Sequence, residues 1–296
     1  MGNYTALLVD VKQSKKYSDE DRLKLQIYMQ SCINALNEFF VKDLELEVVI
    51  NAGDSMQGLF KNTTAAVMYF RLLELMMYPV RIRGGIGVGA WNIQIGKWDV
   101  ELEYVSSAQQ DGQTFHRART AIQEVYKKQQ HNLRICTGGE DTFTNYLLNA
   151  SLIMKSEQME KQNQVLMILE LLYPFVRTGQ VQDCEKWLQS LLKLKMKFRL
   201  SERKGKISEE TVPVNLCSRE ISVPCEVILI DGEMKEPEQS VMKKNMAEHV
   251  ASILGCTRQN AASIIKNGNA MKIREMDYMA LQYLELHEKE EGKERK

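Results

Sequence analysis

Apolar positions in the first third of the chain switch between the two-residue period of a strand and the three-to-four-residue step of a helix. "YTALLVDV" is a short apolar run ending at Asp10 and reads as a buried strand. Ser18, followed by Asp19, Glu20 and Asp21, marks a helix start: a capping hydroxyl, then acids near the positive end of the dipole. That helix carries Leu23, Ile27, Met29, Ile33, Leu36 and Phe40 at mixed steps. "LELEVVI" alternates at Leu44, Leu46 and Val48, and "SMQGLF" after Gly53-Asp54 reads as the returning strand of a hairpin. A second helix is expected from about Asn62 to Tyr78, ended by Pro79. "VRIRGGIGVGAW" is a fourth strand whose glycines, at 84, 85, 87 and 89, mark a bulge or a close backbone approach.

This β-α-β-β-α-β order is the split βαβ arrangement, a four-stranded antiparallel sheet with two helices on one face. A strand near Glu101–Val105, a turn at Asp111-Gly112, a helix near Thr114–Lys127 and a strand at "LRICT" extend it to a domain of residues 1–148. Residues 149–200 read as a helical hairpin broken at "RTGQ", with Val165, Ile168 and Leu172 on one arm and Trp187, Leu191 and Leu194 on the other. Residues 201–240 form a short β-containing segment, where "ISVPCEVILIDGEM" is expected to pair with residues near 211–217. From 241 to 296 the expectation is a helix-turn-helix and a solvated charged tail. Met246, Val250 and Ile253 line its first helix, Gly255 ends it, and Thr257 caps a second helix bearing Ala261, Ile264 and Ile265. The fold class is therefore α+β, with a ferredoxin-like first domain.

Composition narrows the chemistry. The net charge is zero, so no global field points to nucleic acid or an acidic membrane. The local exception is residues 241–274, with six Lys/Arg against one Glu. Arg258, Gln259, Asn260, Ser263 and Lys266 on the second helix are types that bond base edges and phosphates, so DNA is an expected partner. Six cysteines without a CxxC pair, beside four histidines, argue against a Cys/His zinc site. The chain opens without a basic, then apolar, leader and has no uncharged apolar stretch of roughly 18 residues, so a cytoplasmic location without membrane contact is expected.

Asp10 ends the first strand and Asp54 lies on the hairpin of the next two, strands that are neighbours in this topology. Two carboxylates and the Val11 carbonyl suit Mg²⁺ (or Mn²⁺), an ion that keeps waters and takes substrate phosphates for its remaining positions. Two such ions would activate a hydroxyl and stabilise leaving oxygens. The turn around Val11–Ser14 would offer backbone N–H groups to a triphosphate.

Asp10, Gly53-Asp54 with Met56, and "RGGIGVGAW" resemble the palm-type catalytic domain of class III nucleotidyl cyclases and diguanylate cyclases. "LLVDVKQSKK", "GDSMQGLF", "RIRGGIGVGAWN" and "DGQTFHRARTAI", followed by the helix-turn-helix, are similar in that order to the SatD family of bacterial proteins. The resemblance implies a cyclase-like palm joined to a DNA-binding-type module, with a nucleotide near Ser14, Gly53, His116, Arg117 and Arg119. A homodimer is expected as well, because one such basic patch on a neutral chain holds DNA only weakly. The chain departs from the cyclase pattern at Ile50, where a purine-selecting Lys would stand, at Ser55, and at His116 and Thr120, where Asn and Arg would stand. The expected function is thus a nucleotide- and metal-binding regulator. The alternatives are an active nucleotidyl cyclase or nucleotidyltransferase using Asp10 and Asp54, and a degenerate palm serving as a dimer scaffold.

Overall fold

The computed structural model describes residues 3–91, 107, 112–128, 131–177, 190–195 and 225–294. They are mixed α and β, and the chain divides into two compact units, Met1–Asn149 and Ala150–Lys296.

The first unit contains β1 (Asn3–Val11), α1 (Asp19–Phe39), β2 (Leu44–Ala52), β3 (Ser55–Phe60), α2 (Thr63–Met77), β4 (Ile82–Ala90), α3 (Gln113–Lys127), β5 (Leu133–Cys136) and α4 (Thr142–Leu148). Its five-stranded sheet has the order β2-β3-β1-β4-β5, antiparallel except for the parallel pair of β4 and β5. Local signals start the helices as expected. The Ser18 hydroxyl accepts from Asp21 N at 3.2 Å and Asn62 Oδ1 accepts from Ala65 N at 2.7 Å. The β2 register shifts between Leu46 and Val49, and Asn37 of α1 bonds both backbone groups of Val48 there. Asn145 of α4 likewise bonds both backbone groups of Ile135, closing the edge of β5.

Helices cover both faces of this sheet. Thr5 of β1 meets Thr63 of α2 on one face. On the other, Ala6, Leu59 and Trp91 pack with Phe115 and Ala118 of α3. The β4 glycines are explained here. A Cβ on Gly85 would stand 2.4 Å from Ala118 O, and one on Gly87 would stand 2.1 Å from Thr114 O. The helix backbone lies directly on the strand backbone, which only glycine permits.

The second unit contains α5 (Leu152–Glu157), α6 (Glu160–Leu172), β6 (Phe175–Arg177), β7 (Ile228–Ile230), α7 (Pro237–Val241), α8 (Met246–Leu254), α9 (Arg258–Asn267) and α10 (Ala270–Glu294). Two expectations change here. The first arm stops at Leu172 before Pro174, and Phe175–Arg177 forms a strand that pairs in parallel with β7. The expected partner segment 211–217 lies outside the described residues, as do Trp187, Asp111 and the strand near 101–105. The charged tail is also helical as far as Glu294, because Ile273, Tyr278, Leu281 and Leu284 give α10 a buried face. Asp231-Gly232 is a turn: Gly232 has φ +74 and Asp231 Oδ1 accepts from Glu233 N at 3.0 Å.

Candidate functional site at the end of the sheet

The antiparallel register sets Asp10 opposite Ser55 of β3 and opposite Arg83 of β4. Ser55, Asp10 and Arg83 therefore form one row across three strands, on the face that α3 covers. Gly53-Asp54 is the two-residue turn just beyond this row, with φ +62 at Gly53 and a negative φ at Asp54, the primed-turn form with glycine first. Gln26 of α1 pins the turn by donating to Gly53 O at 2.8 Å. Ser14 opens a short 3-10 turn at the same end, after Gln13 in a left-handed conformation. Val11 pairs with Ile82.

Asp10 is engaged from two sides. Its Oδ2 accepts from Arg83 Nε at 3.0 Å and Nη2 at 2.9 Å, and from the Tyr126 hydroxyl. The pair is largely enclosed, with 13% of the Asp10 side chain and 19% of Arg83 exposed. The Arg83 guanidinium lies 3.4 Å from the Tyr126 ring centroid. Burial, then the hydrogen bond to Asp10, raises the Tyr126 phenol above its ordinary pKa. Asp54 differs: among the described residues it has no ion pair or side-chain hydrogen bond.

The other expected nucleotide contacts are not at this end. Thr114 donates to Ala90 O at 2.9 Å and Arg117 Nη1 to Val88 O at 2.5 Å, so α3 starts at the far end of β4 and runs back to Asp10. Ten residues of helix separate His116 from Tyr126, about 15 Å along the axis. His116 and Arg119 are exposed. Arg117 also packs against Gly138, where a Cβ would lie 2.2 Å from its Nη2. It ties α3 to the loop after β5.

For a metal, the oxygen donors here are Asp54, the second carboxylate oxygen of Asp10 and backbone carbonyls. Among the described residues no three His, Cys, Asp or Glu side chains form a metal-holding group. A model of the SatD family matches residues 4–208, more than half of the chain. The chain belongs to the SatD family. No curated protein and no solved structure matches it. Among the described residues of this SatD-family chain no helix is long and apolar enough to cross a membrane.

Sequence reasoning missed Arg83 and Tyr126 as partners of Asp10. Tyr126 is in four-residue phase with Thr114, Ala118 and Ile122, the residues that α3 lays on the glycine strand. That spacing is a usable signal once α3 is known to cover β4.

In the second unit, α8 ends at Gly255 with φ +64 and α9 starts at Thr257, whose hydroxyl accepts from Asn260 N at 3.2 Å. Ala261 is buried, while Arg258, Gln259, Asn260, Ser263 and Lys266 are all exposed.

Proposed function

We propose that this chain is a nucleotide- and divalent-metal-binding regulatory protein, with a ferredoxin-like, palm-type first unit and a DNA-binding helix-turn-helix made by α8 and α9. The observation that carries the first half is the register of β1 and β3, which sets Asp10 beside the Gly53-Asp54 turn. The strand order β2-β3-β1-β4 fits the split βαβ arrangement. One Mg²⁺ held by Asp54 and Asp10, with waters and ligand phosphates filling the other positions, suits this donor set.

Binding without cyclisation is favoured by the same geometry. The Arg83 fork neutralises the charge on Asp10 that a second ion would need. His116 lies too far along α3, about 15 Å from Tyr126, to act on a reacting phosphate beside Asp10. Ile50, paired with Met56, offers no hydrogen bond to a base.

Thermal unfolding with Mg²⁺ and each nucleoside triphosphate tests this half. With ligand at about a hundred times Kd, the wild-type chain should gain about 2.7 kcal/mol, and Asp54→Ala should lose most of that gain. No Mg²⁺-dependent stabilisation of the wild type by any triphosphate would refute the reading, and product formation on incubation would turn it into an enzyme.

The exposed α9 row supports the second half, and a homodimer would present two such helices to successive half-sites. DNA binding should weaken as salt rises. Arg258→Ala should reduce the slope of log K against log salt by about 1, provided the arginine contacts a phosphate. An unchanged slope and affinity would make the helix pair a packing element instead.

A further inference from the structure

Lys12 stands one residue beyond β1, half-buried between the ends of β4 and β5. Its ammonium donates to Asn132 Oδ1 and, among the described residues, pairs with no carboxylate. Asn132 donates its own amide hydrogen to Glu74 Oε1 at 2.8 Å, so Glu74 attracts Lys12 from behind the amide that Lys12 bonds rather than by direct contact. Lys12 N donates to Arg81 O at 2.7 Å, which brings Arg81, just before β4, and Arg83, inside it, alongside. Burial is the main force lowering the Lys12 pKa; Glu74 opposes it, and Arg83 and Arg81 lower it further.

The surroundings share this sign. Lys15 and Lys16 are exposed on the turn that follows. Lys128 and Arg134, where α3 hands over to β5, add to the burial that depresses His131. Against them stand Glu74, bonded to Asn132, and Asp10, engaged by Arg83 and Tyr126. Burial disfavours the Lys12 charge and the two guanidiniums add to that, with the attraction of Glu74 opposing them. The chain has as many acids as bases, yet among the described residues no carboxylate contacts the Lys12 ammonium. Two ammonium hydrogens remain for an acceptor from outside.

We propose that Lys12, backed by Arg81 and Arg83, is a metal-independent subsite for the phosphate groups of a nucleotide. This rests on the reading of the same sheet end as a nucleotide site, and it seats the phosphates on cations while Asp54 holds the metal. Lys15 and Lys16 continue the cationic surface along the turn, which suits a di- or triphosphate. The exposed Tyr126 ring, backed by Arg83, is a face beside it on which a base can stack.

Calorimetry of the full chain with inorganic pyrophosphate in EDTA tests the subsite without a metal. Wild type should bind. Lys12→Met should weaken binding about 10- to 100-fold, the loss of one charge-assisted hydrogen bond or two. Lys12→Arg should keep most of it. No binding by wild type, or equal binding by Lys12→Met, overturns the proposal.

Should Lys12→Met fail to fold, the wild type still decides. Acetylation of Lys12 by acetic anhydride, read by mass spectrometry, should slow when pyrophosphate is added, while the exposed Lys42 reacts as before. An unchanged Lys12 rate overturns the subsite. Nucleoside triphosphates then separate the two claims. Mg²⁺-dependent nucleotide binding with no pyrophosphate binding in EDTA removes the subsite and leaves the broader reading standing. Pyrophosphate binding with no effect of Mg²⁺ or nucleoside does the reverse, and marks inorganic polyphosphate as the ligand.

Discussion

Gly87→Ala is expected to destabilise the first unit by about 3 kcal/mol or more, the upper range for overpacking a close contact. The added methyl would stand 2.1 Å from Thr114 O and 2.3 Å from Ala118 N, both backbone atoms of α3. Neither can turn away, so the helix must lift from the strand. Gly85→Ala meets the same obstacle at Ala118 O and Ile122 N, 2.4 Å away in each case. Gly84→Ala is the informative contrast. Its methyl faces side-chain atoms of Phe70 and Leu133 on the other side of the sheet, which can shift, so its cost should be smaller. Chemical denaturation of the three variants, followed by circular dichroism, checks the order. Equal costs at 84 and 87 would mean that α3 does not rest on β4 as closely as described. Lifting α3 also withdraws Tyr126 from Asp10, so Gly87→Ala should weaken any ligand bound at that end of the sheet.

Glu170→Ala is expected to cost the second unit about 3–5 kcal/mol, the usual result of leaving a buried charge without its partner. Arg274 is fully enclosed, at 0% exposure against 2% for Glu170, and its Nη1 lies 2.8 Å from Glu170 Oε1. The guanidinium also stacks over Phe175 at 4.7 Å and donates to the carbonyl of Tyr173. One side chain of α10 thus reaches α6, the residue after it and β6. Replacing both partners, with Glu170→Leu and Arg274→Met together, should recover much of the stability, because desolvation of the pair is then no longer required. A double variant as unstable as Glu170→Ala would show that the arginine's contacts to Phe175 and Tyr173 matter more than the ion pair. Adding the single variants Glu170→Leu and Arg274→Met completes a double-mutant cycle, read by thermal or chemical unfolding.

Much of the first unit was legible because local rules sufficed there. Ser18 with three acids, Asn62, Pro79 and the Gly53-Asp54 turn each act within a few residues, and each falls at the expected boundary. The second unit was harder. Its strands β6 and β7 have three residues each, too few for a period to register, and they meet across a long stretch of chain. The long α10 was missed because its charged end hides the apolar stripe of Ile273, Tyr278 and Leu281 that precedes it.

By itself the sequence determined the elements from β1 to β4 with α3 and β5, the α+β class and the placing of Asp10 and Asp54 at neighbouring strand ends. Those depend on side-chain period and turn chemistry, which are written within a few residues of each position. Only the tertiary structure decided what the carboxylate of Asp10 touches. Arg83 and Tyr126 lie 73 and 116 positions away, and their arrival depends on β4 register and on the direction in which α3 crosses the sheet. The same crossing carries His116 and Arg117 towards the opposite end and leaves Lys12 beside Arg81 and Arg83 at this one. A period tells which face a residue shares; the company it keeps on that face is settled by packing, here by glycines that let one helix lie against one strand.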